Sequence, residues 1–108
     1  MITVQGWGIN DAGVVPVNLQ QVSKPIYEHS QCIISWGGDI TPQMFCTAIE
    51  QGRDSCNGDS GSSIVRSGVQ VGVVSFGSEV CGDGSAPAVY ARVEAPLIRN
   101  WIRTVAGV

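Results

Sequence analysis

The residues best suited to do chemistry run from Arg53 to Val65, as RDSCNGDSGSSIV. Ser60 stands between Asp59 and Gly61, with Gly58 just before it and Cys56 two residues further back. A serine hydroxyl is a weak nucleophile that attacks a carbonyl only when a base takes its proton. The oxyanion formed by that attack needs donors already in place, usually backbone N–H groups. A glycine at position 58 lets the chain turn tightly, so that its N–H and that of Ser60 point into one small nest. The plainer reading of Gly-Asp-Ser-Gly is a turn, since all three residue types favour turns. A base is harder to find, because His29 is the only histidine in the sequence.

The elements that must carry this segment are short. The chain has 108 residues, enough for one domain with a modest core. Fourteen glycines, five prolines and 14% charged residues indicate many tight turns and few solvated helices. β-type runs at residues 2–7, 19–26, 44–48, 63–66, 69–76 and 88–93 alternate with clusters rich in Gly, Pro, Asp and Asn. About six strands at this spacing predict an all-β antiparallel barrel or sandwich. A short helical turn is expected within 26–36, around 27–33. From Pro96 onward, Leu97, Ile98, Trp101, Ile102 and Val105 recur at helical steps, with Pro96 at the first turn and Gly107 at the end. This predicts a closing helix at about 96–106 that packs its apolar stripe on the barrel as core.

Net charge is −3 and the six Lys and Arg residues are scattered, so no basic patch exists to hold nucleic acid. The apolar runs are too short to cross a bilayer, so no membrane partner is expected. No basic leader precedes the first strand, so the chain reads either as cytosolic or as a piece of something larger. Four cysteines, Cys32, Cys46, Cys56 and Cys81, favour the second reading and a secreted, oxidising setting. They lack paired C-x-x-C spacing, and one histidine adds little, so two disulfides are expected and neither metal nor cofactor. Three pairings are open; Cys32–Cys46 with Cys56–Cys81 would close moderate loops worth about 3 kcal/mol each in the chain-entropy view.

The ordered motifs resemble the second β-barrel of the chymotrypsin/trypsin-like serine proteases. GWG at 6–8 resembles the opening of that barrel, FCTA at 45–48 the strand whose cysteine pairs with one like Cys32, and DSCNGDSG at 54–61 the nucleophile signature. VVSFGSEVC at 73–81 is similar to the substrate-binding segment, and PAVYARV at 87–93 to the strand behind the pocket. The resemblance implies a six-stranded Greek-key barrel, one half of a double-barrel fold, closed by the helix. It implies Ser60 as nucleophile, with the N–H groups of Gly58 and Ser60 as oxyanion hole. Asp54 would lie at the floor of a specificity pocket favouring Lys or Arg, with Ser55, Asn57 and Ala88 also contributing to substrate binding. Ser75, Phe76 and Gly77 would bind substrate backbone as an added strand. Asp59 would be the acid that meets a new N-terminal ammonium on activation.

The family's histidine and buried aspartate belong to a first barrel, and His29 lies where the family has no catalytic group. The lone chain is therefore expected to be inactive, and a complementary first-barrel chain bearing His and Asp is an expected partner, besides a protein or peptide substrate. The alternative is a non-catalytic binding or assembly module, or an engineered lone barrel, self-associating through its former inter-barrel face. Ser62 and Ser63 stand where the family usually has Gly and Pro, Phe76 where it has Trp, and Ala88 where trypsin-like members mostly have Gly. Ile2 and Arg66 occupy the places of a further cysteine pair in many relatives.

Overall fold

Ile2, Val4 and Gly6 are buried while Thr3 and Gln5 between them are half-exposed, the period-two signature of a strand with one face on a core. The computed structural model describes residues 1–10, 12–49, 54–56, 58–78 and 80–108. Its elements are β1 (Ile2–Gly6), β2 (Gln20–Lys24), β3 (Ile26–Tyr27), α1 (His29–Ser35), β4 (Met44–Thr47), β5 (Ser63–Arg66), β6 (Val69–Phe76), β7 (Val89–Arg92) and α2 (Pro96–Ala106). The strands form one sheet in the order β2-β1-β5-β6-β7-β4-β3, and every neighbouring pair is antiparallel.

The two edges of this sheet belong to a single run of chain. β2 bonds to β1, with Lys24 opposite Ile2, and β3 bonds to β4, with Ile26 opposite Thr47. Between them Pro25 has no N–H to give a ladder, but its carbonyl accepts from the Ala48 N–H at 2.9 Å. One segment thus grips both edges and curls the sheet into a barrel. Six strands were expected; the seventh is the run at 19–26 divided at its proline.

Ile2, Val4, Phe45, Ile64, Val74, Ala88 and Tyr90 fill the barrel. A second cluster of Cys32, Ile40, Cys46 and Val89 lies under Tyr27, Ile33, Trp36 and Met44. Phe45 packs against Tyr90 at 5.4 Å between ring centroids. Gly72 makes room for it: a Cβ there would stand 2.6 Å from Phe45 Cε1 and 3.0 Å from the Ala91 carbonyl oxygen. Both disulfides form: Cys32–Cys46, the pair the resemblance implies, and with it Cys56–Cys81.

α1 begins two residues later than expected, because Tyr27 is drawn into β3 opposite Cys46. α2 runs from its proline to Gly107, whose left-handed φ of 74° and N–H bond to the Arg103 carbonyl end it. Its stripe does not pack as expected. Ile98 and Ile102 are half-buried, whereas Leu97 is 72% and Trp101 66% exposed, so only one edge of a wide apolar face meets this chain. No helix among the described residues is long and apolar enough to cross a membrane.

This division of core from surface is testable by chemical denaturation. Ile64→Ala, which empties a fully buried site, is expected to cost about 2–5 kcal/mol. Leu97→Ser on the uncovered stripe is expected to cost no more than about 0.5 kcal/mol.

Candidate active site

The Ser60 turn is tied down on three sides. The Asp59 N–H bonds to the Cys56 carbonyl at 2.9 Å and the Ser62 N–H to the Asp59 carbonyl at 2.9 Å, so two successive turns lead into β5. Gly61 N–H donates to the Val74 carbonyl, and Val74 N–H to that of Ser62, both at 2.9 Å, stitching the loop to β6. Gly58 has a φ of 98°, and a Cβ on it would stand 3.1 Å from the Gly8 Cα. Glycine is thus required there for both conformation and close approach. Ser60 itself is left exposed. Among the described residues, no acceptor takes the N–H of Gly58 or of Ser60.

Below the turn, the Asp59 carboxylate is buried and held by two backbone amides. Oδ1 accepts from Gly8 N–H and Oδ2 from Cys56 N–H, each at 2.8 Å. A Cβ on either Gly6 or Gly8 would collide with this carboxylate. The glycines flanking Trp7 are therefore the space into which Asp59 fits, so the end of β1 and the Ser60 turn are built around one side chain.

Beside Ser60 lies a cleft of about 310 Å³. Asp54, Ser55 and Cys56 line one side and Val74 to Ser78 the other, with the Cys56–Cys81 disulfide joining them. Of the expected site residues, Asp54, Ser55, Ser60, Ser75, Phe76 and Gly77 come together here. Asn57 lies outside the described residues. Ala88 does not line the cleft: it is buried in the barrel core behind Gly77, where an added Cβ would stand 3.9 Å from that of Ala88. Phe76 meets Trp36 edge-on at 5.1 Å, and the indole N–H donates to the Pro87 carbonyl at 3.0 Å. His29 heads α1, away from the residues lining the cleft, with Nδ1 buried and lacking a partner among the described residues. Those residues also include no group of three or more His, Cys, Asp or Glu placed to hold a metal ion.

Asp54 has a partner that sequence reading missed. Lys24 Nζ stands 3.3 Å from Asp54 Oδ1, an ion pair in which the lysine is only 2% exposed and the aspartate 10%. Asp54 Oδ1 also accepts from Ser55 N–H at 2.8 Å, and Oδ2 from Gly82 N–H at 3.3 Å. The available signal was parity, because Lys24 falls two residues after the half-buried Val22 and so on the inward side of β2. Tyr90 is fully buried, with its hydroxyl accepting from Thr47 Oγ1 at 3.3 Å. Burial pushes its pKa above the usual 10.0; hydrogen bonds with Thr47 and Ser55 oppose this, and the negative charges of Asp54 and Asp59 reinforce it.

Residues 1–102 match the protein family described as Trypsin. The chain belongs to the trypsin family. It is 44% identical over 105 residues to Trypsin-1 of Gadus morhua, an alignment covering 95% of this chain and 42% of that protein. To Trypsin-4 of Rattus norvegicus it is 43% identical over 103 residues, covering 93% and 40%. Neuropsin, a serine protease expressed in the limbic system of mouse brain, superposes with a TM-score of 0.84 at 31% identity, over 97% of this chain and 47% of that one. The chain thus spans about two fifths of the length of the curated trypsins it matches, and its barrel with closing helix is one half of a trypsin-like fold.

Two expectations follow for this barrel. Gly8→Ala drives the Asp59 carboxylate from its amides and is expected to cost about 1–3 kcal/mol of stability, read from denaturation midpoints. The Tyr90 pKa is raised on folding, so its contribution is intact below pH 10.0, where the unfolded tyrosine ionises, and is lost as pH climbs through the folded value. Tyr90→Phe should therefore flatten the alkaline fall of stability in a pH series of denaturation curves.

Proposed function

We propose that this chain is the nucleophile-and-pocket half of a secreted serine endopeptidase, completed by a first barrel that brings the histidine and aspartate. The observation that carries this reading is Ser60, exposed on a glycine-flanked turn beside a cleft that has a carboxylate, Asp54, in its wall. In this reading Ser60 Oγ attacks the scissile carbonyl while the first barrel's histidine takes its proton. The amides of Gly58 and Ser60 hold the oxyanion; that neither donates to an acceptor among the described residues supports this role. The acyl-enzyme then forms as the amine leaves, and water releases the acid.

Asp54 is the floor of the side-chain pocket, and Ser55 and Asn57 also contribute to substrate binding. A carboxylate there favours cleavage after Lys or Arg, to the degree that its own ion pair allows. Ser75, Phe76 and Gly77 pair with substrate backbone as an added strand, and Ala88 backs the pocket wall. Asp59 is the activation acid: a cavity of about 190 Å³ lined in part by Gly8, Ile9, Asn10 and Asp59 offers space for an ammonium beside its carboxylate. Two disulfides suit an oxidising, extracellular setting.

The lone chain lacks the base and is inactive in this reading. The uncovered Leu97, Trp101 and Val105 on α2, with Trp7, Val14 and Val17 elsewhere, support a first barrel or a second copy as cover. The second-copy alternative is the non-catalytic assembly module, and a native mass measurement separates it, because it requires a stable homodimer of this chain.

A fluorophosphonate probe tests the enzymatic reading. Joined to its first barrel, the chain is expected to be labelled at Ser60 at least about a thousandfold faster than alone, and Ser60→Ala to abolish labelling. Rapid stoichiometric labelling of the lone chain would remove the claim that it is inactive. Absence of labelling in the joined protein would remove the peptidase reading itself.

A further inference from the structure

We infer that Lys24 is a specificity-determining residue that neutralises Asp54 from behind, so that the cleft accepts an uncharged polar side chain as readily as a Lys or Arg. The inference rests on the reading of the cleft as the pocket for the substrate's side chain.

Lysine is almost never fully buried unless it is paired, and Lys24 is 2% exposed. Its ammonium meets Asp54 Oδ1 at 3.3 Å, the one ion pair among the described residues. The lysine cannot easily withdraw. Its backbone is the last residue of β2, paired opposite Ile2 in a five-residue ladder, and it abuts Pro25 at the seam where the sheet closes. Withdrawal would leave a buried ammonium without its counter-charge, a costly state. The pair is therefore a fixed part of the barrel wall.

Consider what a substrate side chain meets on entering. Asp54 lines the cleft, but its negative charge is offset by the adjacent positive one, and Ser55 and Gly82 amides already occupy part of its acceptor capacity. An arriving guanidinium or ammonium gains little net attraction and is repelled by Lys24. What remains is a polar surface in which Ser55, Ser75 and Ser78 line the cleft with Asp54. Such a surface can satisfy an amide or ureido group without any demand for charge. The cleft therefore loses most of its discrimination between basic side chains and neutral polar ones of the same length.

The test uses the complete protease with peptides differing only in the residue before the scissile bond: arginine, its uncharged isostere citrulline, or glutamine. In the wild type, kcat/KM for arginine and citrulline should agree within about tenfold. Lys24→Met should raise the arginine-to-citrulline ratio by about ten- to a hundredfold, the gain expected from freeing a charge-assisted hydrogen bond. Lys24→Arg should keep the wild-type ratio. A wild type that already prefers arginine by more than about a hundredfold overturns the inference, and so does a Lys24→Met ratio equal to that of the wild type. If Lys24→Met does not fold, the wild-type ratio alone decides. Failure of the peptidase reading is seen separately, as hydrolysis that is absent or survives Ser60→Ala. In that event benzamidine binding carries the test: its Kd should tighten about ten- to a hundredfold in Lys24→Met, and an unchanged Kd overturns the inference.

Discussion

The structure depends on one run of chain holding two edges of a sheet. Because β2 pairs with β1 and β3 with β4, the residues around Pro25 convert an open seven-stranded sheet into a closed curl. An exposed sheet edge invites pairing with other chains, and here both edge strands belong to the same run of chain. Closure also sets the core, since Ile2 and Val4 on β1 can meet Phe45 on β4 and Tyr90 on β7 only inside a curled sheet. The site inherits its geometry from the same constraint. β6 receives the Ser60 turn through the Gly61 and Val74 bonds, and β2 delivers Lys24 to the underside of Asp54.

Within that frame, two acids five residues apart, Asp59 buried and Asp54 half-buried, are held by different means. Asp59 is solvated by backbone amides, which cost little to provide because the turn had to form in any case. Asp54 is held by a counter-charge as well as by amides. Amides leave a carboxylate its full negative charge, whereas an ammonium cancels it at any distance beyond the pair itself. Asp59 therefore keeps a field that can act on a neighbouring cation, and Asp54 keeps mainly its capacity to accept hydrogen bonds. Tyr90 is held in the neutral form first by its own burial, and the negative charges of both acids add to that.

Much of this was readable from residue types, because strands of period two and turns made by Gly, Asp and Pro are local properties. The strand runs, the closing helix bounds and the segment around Ser60 belong to that class. Lys24 was not readable in the same way. Its inward parity is visible, but the partner that makes burial tolerable lies thirty residues away, and only the closed barrel brings them together. The glycines at 6 and 8 behaved similarly: as residues they signal a turn, and only the fold reveals the carboxylate they admit. The apolar steps of α2 were legible as a helix, yet periodicity cannot say which molecule covers the face, and Leu97 and Trp101 remain uncovered.

The proposed reading accounts together for the uncovered helix face and for a histidine that does not line the cleft beside Ser60. A barrel of this size can organise a turn, a cleft and their supporting charges from its own strands, because each of those contacts closes within it. The only histidine heads α1, away from the cleft. In the proposed reading, one second body seated against this one supplies both the base for Ser60 and the cover for the α2 stripe. A site assembled between two bodies gains its nucleophile from one and its base from the other, so the interface that hides apolar surface is also the one that sets catalytic distance.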